Sequence, residues 1–376
     1  MTNRLLHIAL CTDGVFPHAM GGMQRHSRLL AEHLARIPGI RLSVIHPHSE
    51  QVFDPTLGIA EVRVPGMDTS RIYLRELWPY SGHVAQALDA LQPDAVLSQG
   101  FSVWQGMRRF TPRLIVMPHG LEMFQGLTLK DRIIGLPFRW LVRHVARRAS
   151  RVVSLGGKLT PVLEDLVQGS GARVVVVPNA VQVPDHTPAY PIDGEALNLL
   201  FVGRFAFNKG IDLLLSVAAE LHASHPAIRF MLAGDGPERA RMERGGLPPN
   251  VALLGKVDDE QLERLYGECH ALVLPTRFEG MPTVVLEAMA RARPVVVSDV
   301  GASAELVDGT NGWLVPRALR AALEELAAAA NAQRARMGVV GRVRVEERFT
   351  WPHVAALFEE LAREVASGAM PSISAR

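Results

Sequence analysis

Short apolar segments alternate with helical patterns along both halves of this chain, and that alternation constrains its fold more than any other feature. The chain has 376 residues, enough for two domains with separate cores. Strand–helix–strand alternation implies parallel sheets that are covered by helices on both faces. The segments with strand character are 5–11, 42–45, 95–97, 114–117, 152–154, 174–177, 197–202, 228–233, 252–254, 271–274 and 295–298.

A polar stretch separates the two halves and is the best candidate for a linker. It follows Pro184 and contains Pro188 and Pro191. The expected fold class is therefore α/β, with two Rossmann-like parallel-sheet domains, residues 1–185 and 186–345, that face each other across a cleft. Ligands of open parallel sheets bind at the carboxyl ends of the strands, so polar motifs that follow strands are the first candidates for a site.

The composition fits a soluble globular enzyme, with 48% hydrophobic and 21% charged residues. Cys11 and Cys269 are the only cysteines, so a disulfide framework is excluded and a reduced, cytoplasmic setting is expected. The first apolar segment is too short for a signal peptide. No stretch of the sequence approaches the ~18 uncharged apolar residues of a transmembrane helix.

A basic loop follows the predicted strand 197–202. It contains Arg204 and Lys209 and ends at Gly210. Arginine can bind phosphate oxygens through two parallel donors, while lysine acts as a mobile point charge. When a sugar leaves a nucleoside diphosphate, negative charge grows on the distal phosphate, and cations already in position stabilise that transition state. The loop is therefore a candidate diphosphate site and a candidate contributor to catalysis.

Two glutamates stand eight positions apart, at Glu279 and Glu287. Pro282 suits the first turn of a helix, so the segment 283–290 is predicted to be helical. The helix start, including Thr283, would direct free backbone N–H groups towards an anion. Glu287 lies about one turn inside, where its carboxylate can accept hydrogen bonds from ribose hydroxyls.

The loop before this helix completes the candidate donor site. Glu279 is a candidate acceptor for sugar hydroxyls. Gly280 has no side chain and lets a sugar approach the backbone. Met281 and Pro282 connect the loop to the helix and belong to the same candidate binding set.

These motifs resemble those of the retaining glycosyltransferases of family 4, which have the two-domain GT-B fold. The segment 203–210 is similar to the family's G-R-x-x-x-x-K-G loop, and 279–290 is similar to its E-x7-E-A-M-A helix. The segments 299–307, 311–312 and 349–351 also match, so the resemblance covers residues 197–365. It implies that a C-terminal helix within 346–376 crosses back onto the first domain.

The resemblance also assigns residues in the first half of the chain. It implies that Gly21 and Gly22 bring backbone amides near the diphosphate. His119 resembles the family's H-G loop, which implies a hydrogen bond to a donor hydroxyl close to the anomeric carbon. The family usually has an acidic residue shortly after the two glycines, whereas this chain has Gln24. Retention is expected through same-face attack, without a protein nucleophile.

Competing chemistries lack their signatures in this sequence. The segment 234–239 fails the G-x-G-x-x-G pattern at its last position, and no P-loop motif is present. There is no Asp-x-Asp, the motif that carries the metal in the other large glycosyltransferase fold. His46 and His48 have no second ligand cluster. We therefore expect no bound metal and no cofactor, with the nucleoside-diphosphate sugar as a co-substrate.

A basic segment at Lys130–Arg151 favours a membrane surface. It contains seven basic residues opposed only by Asp131, and Arg139, Arg143, Arg147 and Arg151 recur every four residues. This spacing predicts one side of a helix, with apolar residues near its start. Two interpretations stand: docking on anionic lipid, or a solvated helix. Nucleic acid is a poorer candidate partner because the overall charge is only +2.

The sequence as a whole favours a retaining, metal-independent hexosyltransferase that uses a nucleoside-diphosphate sugar, with uridine favoured. The domain 1–185 is then expected to bind the acceptor, and the domain 186–345 to bind the nucleotide sugar. The expected acceptor is a surface glycan, such as lipopolysaccharide, or a lipid-linked oligosaccharide. The expected location is the cytoplasm or the inner face of the membrane. Three alternatives remain open: a nucleotide-sugar epimerase, a sugar-phosphate transferase of related fold, and a catalytically silent nucleotide-sugar-binding partner.

Overall fold

The computed structural model describes residues 4–68, 70–124, 129–192, 194, 196–315 and 318–368. The chain forms two compact units. One comprises the residues up to Asn179 together with those from Trp351 onward, and the other comprises Ala180–Thr350. The sequence had set these boundaries at 185 and 345, and the roles assigned to the two domains stay predictions.

The first unit is built on a seven-stranded parallel sheet. Its strands follow the order β3-β2-β1-β4-β5-β6-β7. Every residue of β1, β4, β5 and β6 is buried, as expected for parallel strands that are covered on both faces. The strands are Leu6–Cys11 (β1), Ile40–His46 (β2), Ala60–Arg63 (β3), Ala95–Gln99 (β4), Leu114–Met117 (β5), Arg151–Ser154 (β6) and Arg173–Val176 (β7). The helices between them are Gly22–Ala35 (α1), Tyr73–Leu91 (α2), Leu129–Ile134 (α3), Leu136–Ala146 (α4) and Leu159–Val167 (α5).

The second unit is built on a six-stranded parallel sheet. Its strands follow the order β10-β9-β8-β11-β12-β13, so the order in which strands are added switches sides between β8 and β11, which are themselves parallel. The strands are Leu197–Val202 (β8), Ile228–Ala233 (β9), Val251–Gly255 (β10), Ala271–Leu274 (β11), Val295–Ser298 (β12) and Gly312–Val315 (β13). The helices are Ile211–Ser224 (α6), Arg239–Gly245 (α7), Asp259–Glu268 (α8), Thr283–Ala290 (α9), Ser303–Leu306 (α10), Leu319–Ala328 (α11) and Asn331–Arg348 (α12).

The last helix, Trp351–Ser367 (α13), belongs to the first unit, where it packs on α1 and β4. Immediately before it, the Val181 N–H donates to the Phe349 carbonyl at 2.8 Å, and Val181 pairs with Thr350 as a parallel bridge. The segments by which the chain enters and leaves the second unit are therefore joined by backbone hydrogen bonding.

The expectation of two parallel-sheet α/β domains is confirmed by these two sheets. The switch point between β8 and β11 matters for function. Ligands of open α/β sheets bind at the carboxyl ends of the two neighbouring strands whose connections run to opposite sides of the sheet. Within the described residues, no helix is both long enough and apolar enough to cross a lipid bilayer.

Candidate functional site

The basic loop follows β8 and ends where α6 begins. Its residues Phe207–Lys209 form a single 3-10 turn, and Gly210 follows with φ +70°. A Cβ atom added to Gly210 would lie 1.9 Å from the carbonyl oxygen of Pro275, so this position requires glycine. The close approach brings the loop after β8 against the loop after β11.

Side chains from the loop after β11 fix the basic loop in place. The Arg277 backbone N–H donates to the Asn208 carbonyl at 2.8 Å, and the Thr276 hydroxyl lies 3.0 Å from the same oxygen. The Arg277 guanidinium donates to both carboxylate oxygens of Asp212, at 2.6 and 2.8 Å. It also lies 4.0 Å from the ring centre of Phe207. The backbone of the turn is therefore held from both sides.

The same two loops bring together one predicted cation and one predicted carboxylate. The Lys209 Nζ donates to Glu279 Oε1 at 2.5 Å, and the two side chains are only 25% and 12% exposed. Arg204 is on the same loop and is exposed, and it makes no hydrogen bond or ion pair within the described ranges. One cation is thus held by a carboxylate, while the other is available to an anion.

The loop Glu279–Gly280 is fixed by the loop after β12. The Ala302 N–H donates to the Gly280 carbonyl at 2.8 Å. Gly301 has φ +55°, and a Cβ atom there would lie 2.2 Å from the Glu279 carbonyl oxygen. Three loops at the carboxyl edge of the sheet, after β8, β11 and β12, therefore pack on one another around Glu279.

Helix α9 spans Thr283–Ala290, as predicted. Pro282 is the residue before the helix, with φ −72° and ψ 110°. Its carbonyl accepts the Val285 N–H at 3.2 Å. No side chain caps this helix start. Met281 and Pro282 are buried, so of this segment Gly280 and Thr283 are the residues with partial exposure.

Glu287 lies one turn inside α9, and a tyrosine orients its carboxylate. The buried Tyr266 hydroxyl of α8 donates to Glu287 Oε2 at 2.9 Å. Burial, together with the Glu287 carboxylate, raises the pKa of Tyr266 well above its usual range, so the hydroxyl keeps its proton. Arg291 donates to the Glu287 carbonyl at 2.9 Å and lies over the Tyr266 ring at 4.9 Å. The sequence offered no motif for Tyr266.

His119 follows β5 in the first unit and has a left-handed backbone, with φ +63°. Its Nε2 is hydrogen-bonded to Oε1 of Gln99, the last residue of β4. The ring of His26 packs edge-on against it, with the ring centres 5.1 Å apart. Burial lowers the pKa of His119 to about 4, so its imidazole is neutral near pH 7.

Gly21 and Gly22 lie at the start of α1, in the same unit as His119. Gly21 is the residue before the helix, with φ +154°, and both glycines are exposed. A Cβ atom on Gly21 would lie 2.2 Å from the side-chain oxygen of Gln24, and none of the described atoms lies within 4 Å of a Cβ on Gly22. His26, also on α1, connects this helix to His119 through the ring contact.

Asp13 is a candidate residue that the sequence analysis missed. It follows β1, and its carboxylate accepts from the Gln24 amide at 3.3 Å and from the Tyr73 hydroxyl at 3.2 Å. Burial raises the pKa of Asp13. The sequence signal that could have identified Asp13 is its position two residues after a buried strand. The chain has no carboxylate at position 24, but Asp13, which accepts a hydrogen bond from Gln24, places one beside it.

The structure gathers the predicted residues into one group in each unit. Arg204, Lys209, Glu279, Gly280, Met281, Pro282, Thr283 and Glu287 lie on the loops after β8 and β11 and on α9, and Gly21, Gly22 and His119 lie at the carboxyl edge of the first sheet.

His46 and His48 are bound to protein groups. His46 Nε2 lies 3.1 Å from Glu61, and its Nδ1 accepts the His48 N–H at 3.2 Å. His48 Nε2 accepts the Val15 N–H at 2.8 Å. Across the described ranges, no group of three or more histidine, cysteine, aspartate or glutamate side chains is arranged to hold a metal ion.

The basic segment does not form one helical stripe, and that prediction is wrong. Helix α4 ends at Ala146, Arg147 caps its end, and Arg151 is buried at the start of β6. Arg139 donates to the Met123 carbonyl, and Arg147 donates to two carbonyls, at 2.7 and 3.2 Å. The exposed arginines are Arg132 and Arg143, while Lys130's side chain lies outside the described residues.

Two family profiles match the chain. The profile for "Glycosyl transferases group 1" matches residues 196–332, and that for "Glycosyltransferase Family 4" matches residues 20–183. The two matches together define a glycosyltransferase of GT-B fold. The chain belongs to the family 4 type of these enzymes.

Individual proteins agree with this assignment. The alpha-D-kanosaminyltransferase of Streptomyces kanamyceticus is 31% identical over 205 residues, covering 50% of this chain and 53% of the relative. The matched region thus spans about half of that relative's length.

Solved structures agree in fold. Sucrose-phosphate synthase from Thermosynechococcus elongatus superposes with a TM-score of 0.80 at 20% identity, covering 97% of this chain and all of that one. Anabaena HepE in complex with UDP and glucose superposes with a TM-score of 0.69 at 18% identity, covering 96% of this chain and all of that one.

Replacing Gly210 with alanine tests how tightly the basic loop is built. We expect Gly210→Ala to lower the free energy of unfolding by about 2 kcal/mol or more, because the left-handed backbone and the clash with Pro275 add together. Urea denaturation measures it.

Gly245→Ala is the matched control for this substitution. Gly245 ends α7, is exposed, and has none of the described atoms within 4 Å of an added Cβ. It should lose no stability. Equal stability of both variants would contradict the packing described for the loop.

Proposed function

We propose that this protein is a retaining, metal-independent glycosyltransferase that moves a hexosyl unit from a nucleoside-diphosphate sugar to a surface-glycan or lipid-linked acceptor. The observation that carries the proposal is the contact between Lys209 and Glu279. It joins a cation suited to a diphosphate with a carboxylate suited to sugar hydroxyls, which are the two halves of such a donor.

Each part of the donor is assigned to the residues whose chemistry suits it. Arg204 and Lys209 bind the diphosphate, with the uncapped start of α9 adding backbone N–H donors. Glu287, oriented by Tyr266, accepts from the ribose hydroxyls. Glu279 accepts from the hexose hydroxyls, and the bare backbone of Gly280 lets the sugar ring approach.

The reaction follows from these charges. The glycosidic C–O bond to the distal phosphate breaks, and the acceptor oxygen forms its bond on the same face of the anomeric carbon. The electron pair of the broken bond stays on the phosphate, which takes the acceptor's proton. Arg204 and Lys209 stabilise the negative charge that develops there, so side chains perform the part that a metal ion performs elsewhere.

His119 contributes a hydrogen bond and not a proton. Because its pKa is lowered to about 4, the imidazole is uncharged throughout the neutral range. A neutral imidazole can bind a donor hydroxyl near the anomeric carbon without competing for the proton that the phosphate receives.

Uridine is favoured as the base of the donor. Anabaena HepE, which is similar in fold, is complexed with UDP and glucose, and the resemblance to family 4 favours the same base. A panel of nucleotide sugars identifies which hexose is transferred.

Substitution of Lys209 tests the donor assignment. We expect Lys209→Ala to lower kcat by about 100-fold or more, the loss typical of one transition-state cation or donor. The measurement is sugar transfer from a UDP-hexose in EDTA without added metal, with the anomeric configuration of the product read by NMR.

Lys256→Ala is the control, because Lys256 is exposed directly after β10 in the same unit. Its activity should equal that of the unaltered protein. Near-normal turnover of Lys209→Ala removes the diphosphate assignment. If all activity is lost in EDTA and is restored by Mg²⁺, the proposal of metal independence is contradicted. If the product has the inverted anomeric configuration, the proposal of retention is contradicted.

The acceptor proposal rests on the surface of α3 and α4. Helices at the surface of a folded unit normally expose few large apolar side chains, yet here Trp140 is 57% exposed. Trp78 and Trp140 both pack edge-on against Trp104, at 4.7 and 6.4 Å between ring centres. The exposed apolar side chains of these two helices are Leu129, Ile133, Ile134, Leu136 and Trp140.

Exposed cations border this apolar surface. Arg132 and Arg143 are exposed on α3 and α4, among the apolar side chains. Apolar insertion combined with attraction to anionic head groups is how interfacial helices bind membranes. The surface therefore fits anionic lipid, which would place the enzyme beside a lipid-linked acceptor.

Liposome flotation tests the membrane proposal. Because both insertion and charge contribute, we expect Ile133→Ser/Trp140→Ser and Arg132→Gln/Arg143→Gln each to reduce the fraction bound to phosphatidylserine or phosphatidylglycerol vesicles at least threefold. Val339→Ser/Val343→Ser, on exposed apolar residues of α12, is the control and should bind normally. Equal flotation of all four proteins would contradict the proposal.

A further inference from the structure

Gln99 and His119 lie at the ends of neighbouring strands in the first unit. Strands β4 and β5 are parallel, with Gln99 opposite Met117, and the Gly100 N–H donates to the Met117 carbonyl at 2.9 Å. This pairing fixes the end of β4 against the start of the loop that carries His119. Gln99 is buried, with 1% of the residue exposed, and its side chain points towards the imidazole of His119.

The imidazole of His119 has one hydrogen-bond partner among the described residues, and that partner is an amide oxygen. Its Nε2 contacts Oε1 of Gln99. The Oε1 atom of Gln99 accepts hydrogen bonds and cannot donate them, so with the amide in this orientation the imidazole carries its proton on Nε2. A neutral imidazole has only one ring proton, which leaves Nδ1 with a free lone pair.

The surroundings of the ring favour this neutral form. His26 faces the His119 ring edge-on at 5.1 Å, and neither ring nitrogen of His26 has a hydrogen-bond partner. Behind His26 lie the rings of Trp351, at 5.2 Å, and Phe358, at 6.3 Å. His26 is the titratable group that faces His119 from α1, and the two α13 rings that pack on His26 carry no titratable group. No carboxylate from the described residues hydrogen-bonds to either imidazole.

We propose that Gln99 is a positioning residue that holds His119 as the neutral Nε2–H tautomer and thereby presents Nδ1 as a hydrogen-bond acceptor for a hydroxyl of the bound sugar. The second half of this statement rests on the proposed function, and the first half stands on the structure alone. The left-handed backbone of His119 fixes the direction of the ring, and Gln99 fixes which nitrogen carries the proton.

The tautomer determines which partner the imidazole selects. With a bare Nδ1, His119 accepts from an O–H group and does not favour an oxygen that lacks a hydrogen, such as an ether or a phosphate oxygen. The alternative tautomer would present an N–H group at Nδ1, which can donate to a hydroxyl, an ether or a phosphate oxygen alike. Gln99 would thus set the specificity of His119 for a hydroxyl without touching the sugar.

Two substitutions separate the parts of this role. Gln99→Leu removes the acceptor, so His119 should populate both tautomers and kcat should fall about tenfold, the loss typical of one net hydrogen bond. Gln99→Glu restores an oxygen acceptor and adds charge. It should therefore return the Nε2–H tautomer and raise the pKa of His119, because a carboxylate stabilises the imidazolium.

The measurement is a long-range ¹H–¹⁵N correlation spectrum of the histidine rings in the full chain, followed over pH. His119→Asn identifies the signals, and thermal melts confirm that each variant is folded. Gln168→Leu, on an exposed residue after α5, is the control and should leave both spectrum and kcat unchanged.

The proposal is supported if the wild type shows the Nε2–H tautomer, Gln99→Leu shows a mixture of tautomers, and Gln99→Glu shows the Nε2–H tautomer again. This result does not depend on whether transfer is detected in the same preparation. An Nδ1–H tautomer in the wild type, or an Nε2–H tautomer unaffected in folded Gln99→Leu, overturns it. Failure of the proposed function appears separately, as absence of transfer from every donor while the spectra behave as expected.

Discussion

The candidate site of the second unit depends on the contact of Lys209 with Glu279. A carboxylate that is only 12% exposed would be unfavourable without a partner, and Lys209 supplies one at 2.5 Å. The contact offsets the cost of burying the two side chains and positions the Lys209 ammonium before any ligand arrives. Pre-positioned charge of this kind stabilises a transition state without the energetic loss of reorganisation.

Backbone contacts at two glycines make that pairing possible. Gly210 and Gly301 both adopt left-handed conformations, and at both a Cβ atom would overlap a carbonyl oxygen of a neighbouring loop. Three loops can therefore approach more closely than side chains would allow. Arg277, on the loop after β11, adds a bidentate bond to Asp212 in the first turn of α6. The sheet supplies the platform, and the glycines determine how near Lys209 comes to Glu279.

The sequence predicted the parts of this arrangement that are local. Alternating apolar segments gave the two parallel sheets, and the spacing from Glu279 to Glu287 gave helix α9, because both patterns depend on neighbours a few residues apart. Family membership was likewise predicted from the two motifs, and the profile matches confirm it. Individual site roles stay predictions.

Long-range contacts and the end of helix α4 were not predictable. Tyr266 reaches Glu287 from 21 residues away, and Gln99 reaches His119 from 20. Nothing local marks either pair. The interpretation of Arg151 was wrong because a four-residue spacing continues past Ala146, where the helix ends without a glycine or proline signal.

The most direct test of the central claim is thermal denaturation of the full chain with a panel of UDP- and GDP-sugars in EDTA. A donor at 100 times its dissociation constant should add about 2.7 kcal/mol of stability. We expect a selective rise in Tm that is lost in Glu287→Ala and kept in Glu260→Ala, an exposed position on α8. A Tm unchanged by every donor, or an equal rise in Glu287→Ala, would contradict it.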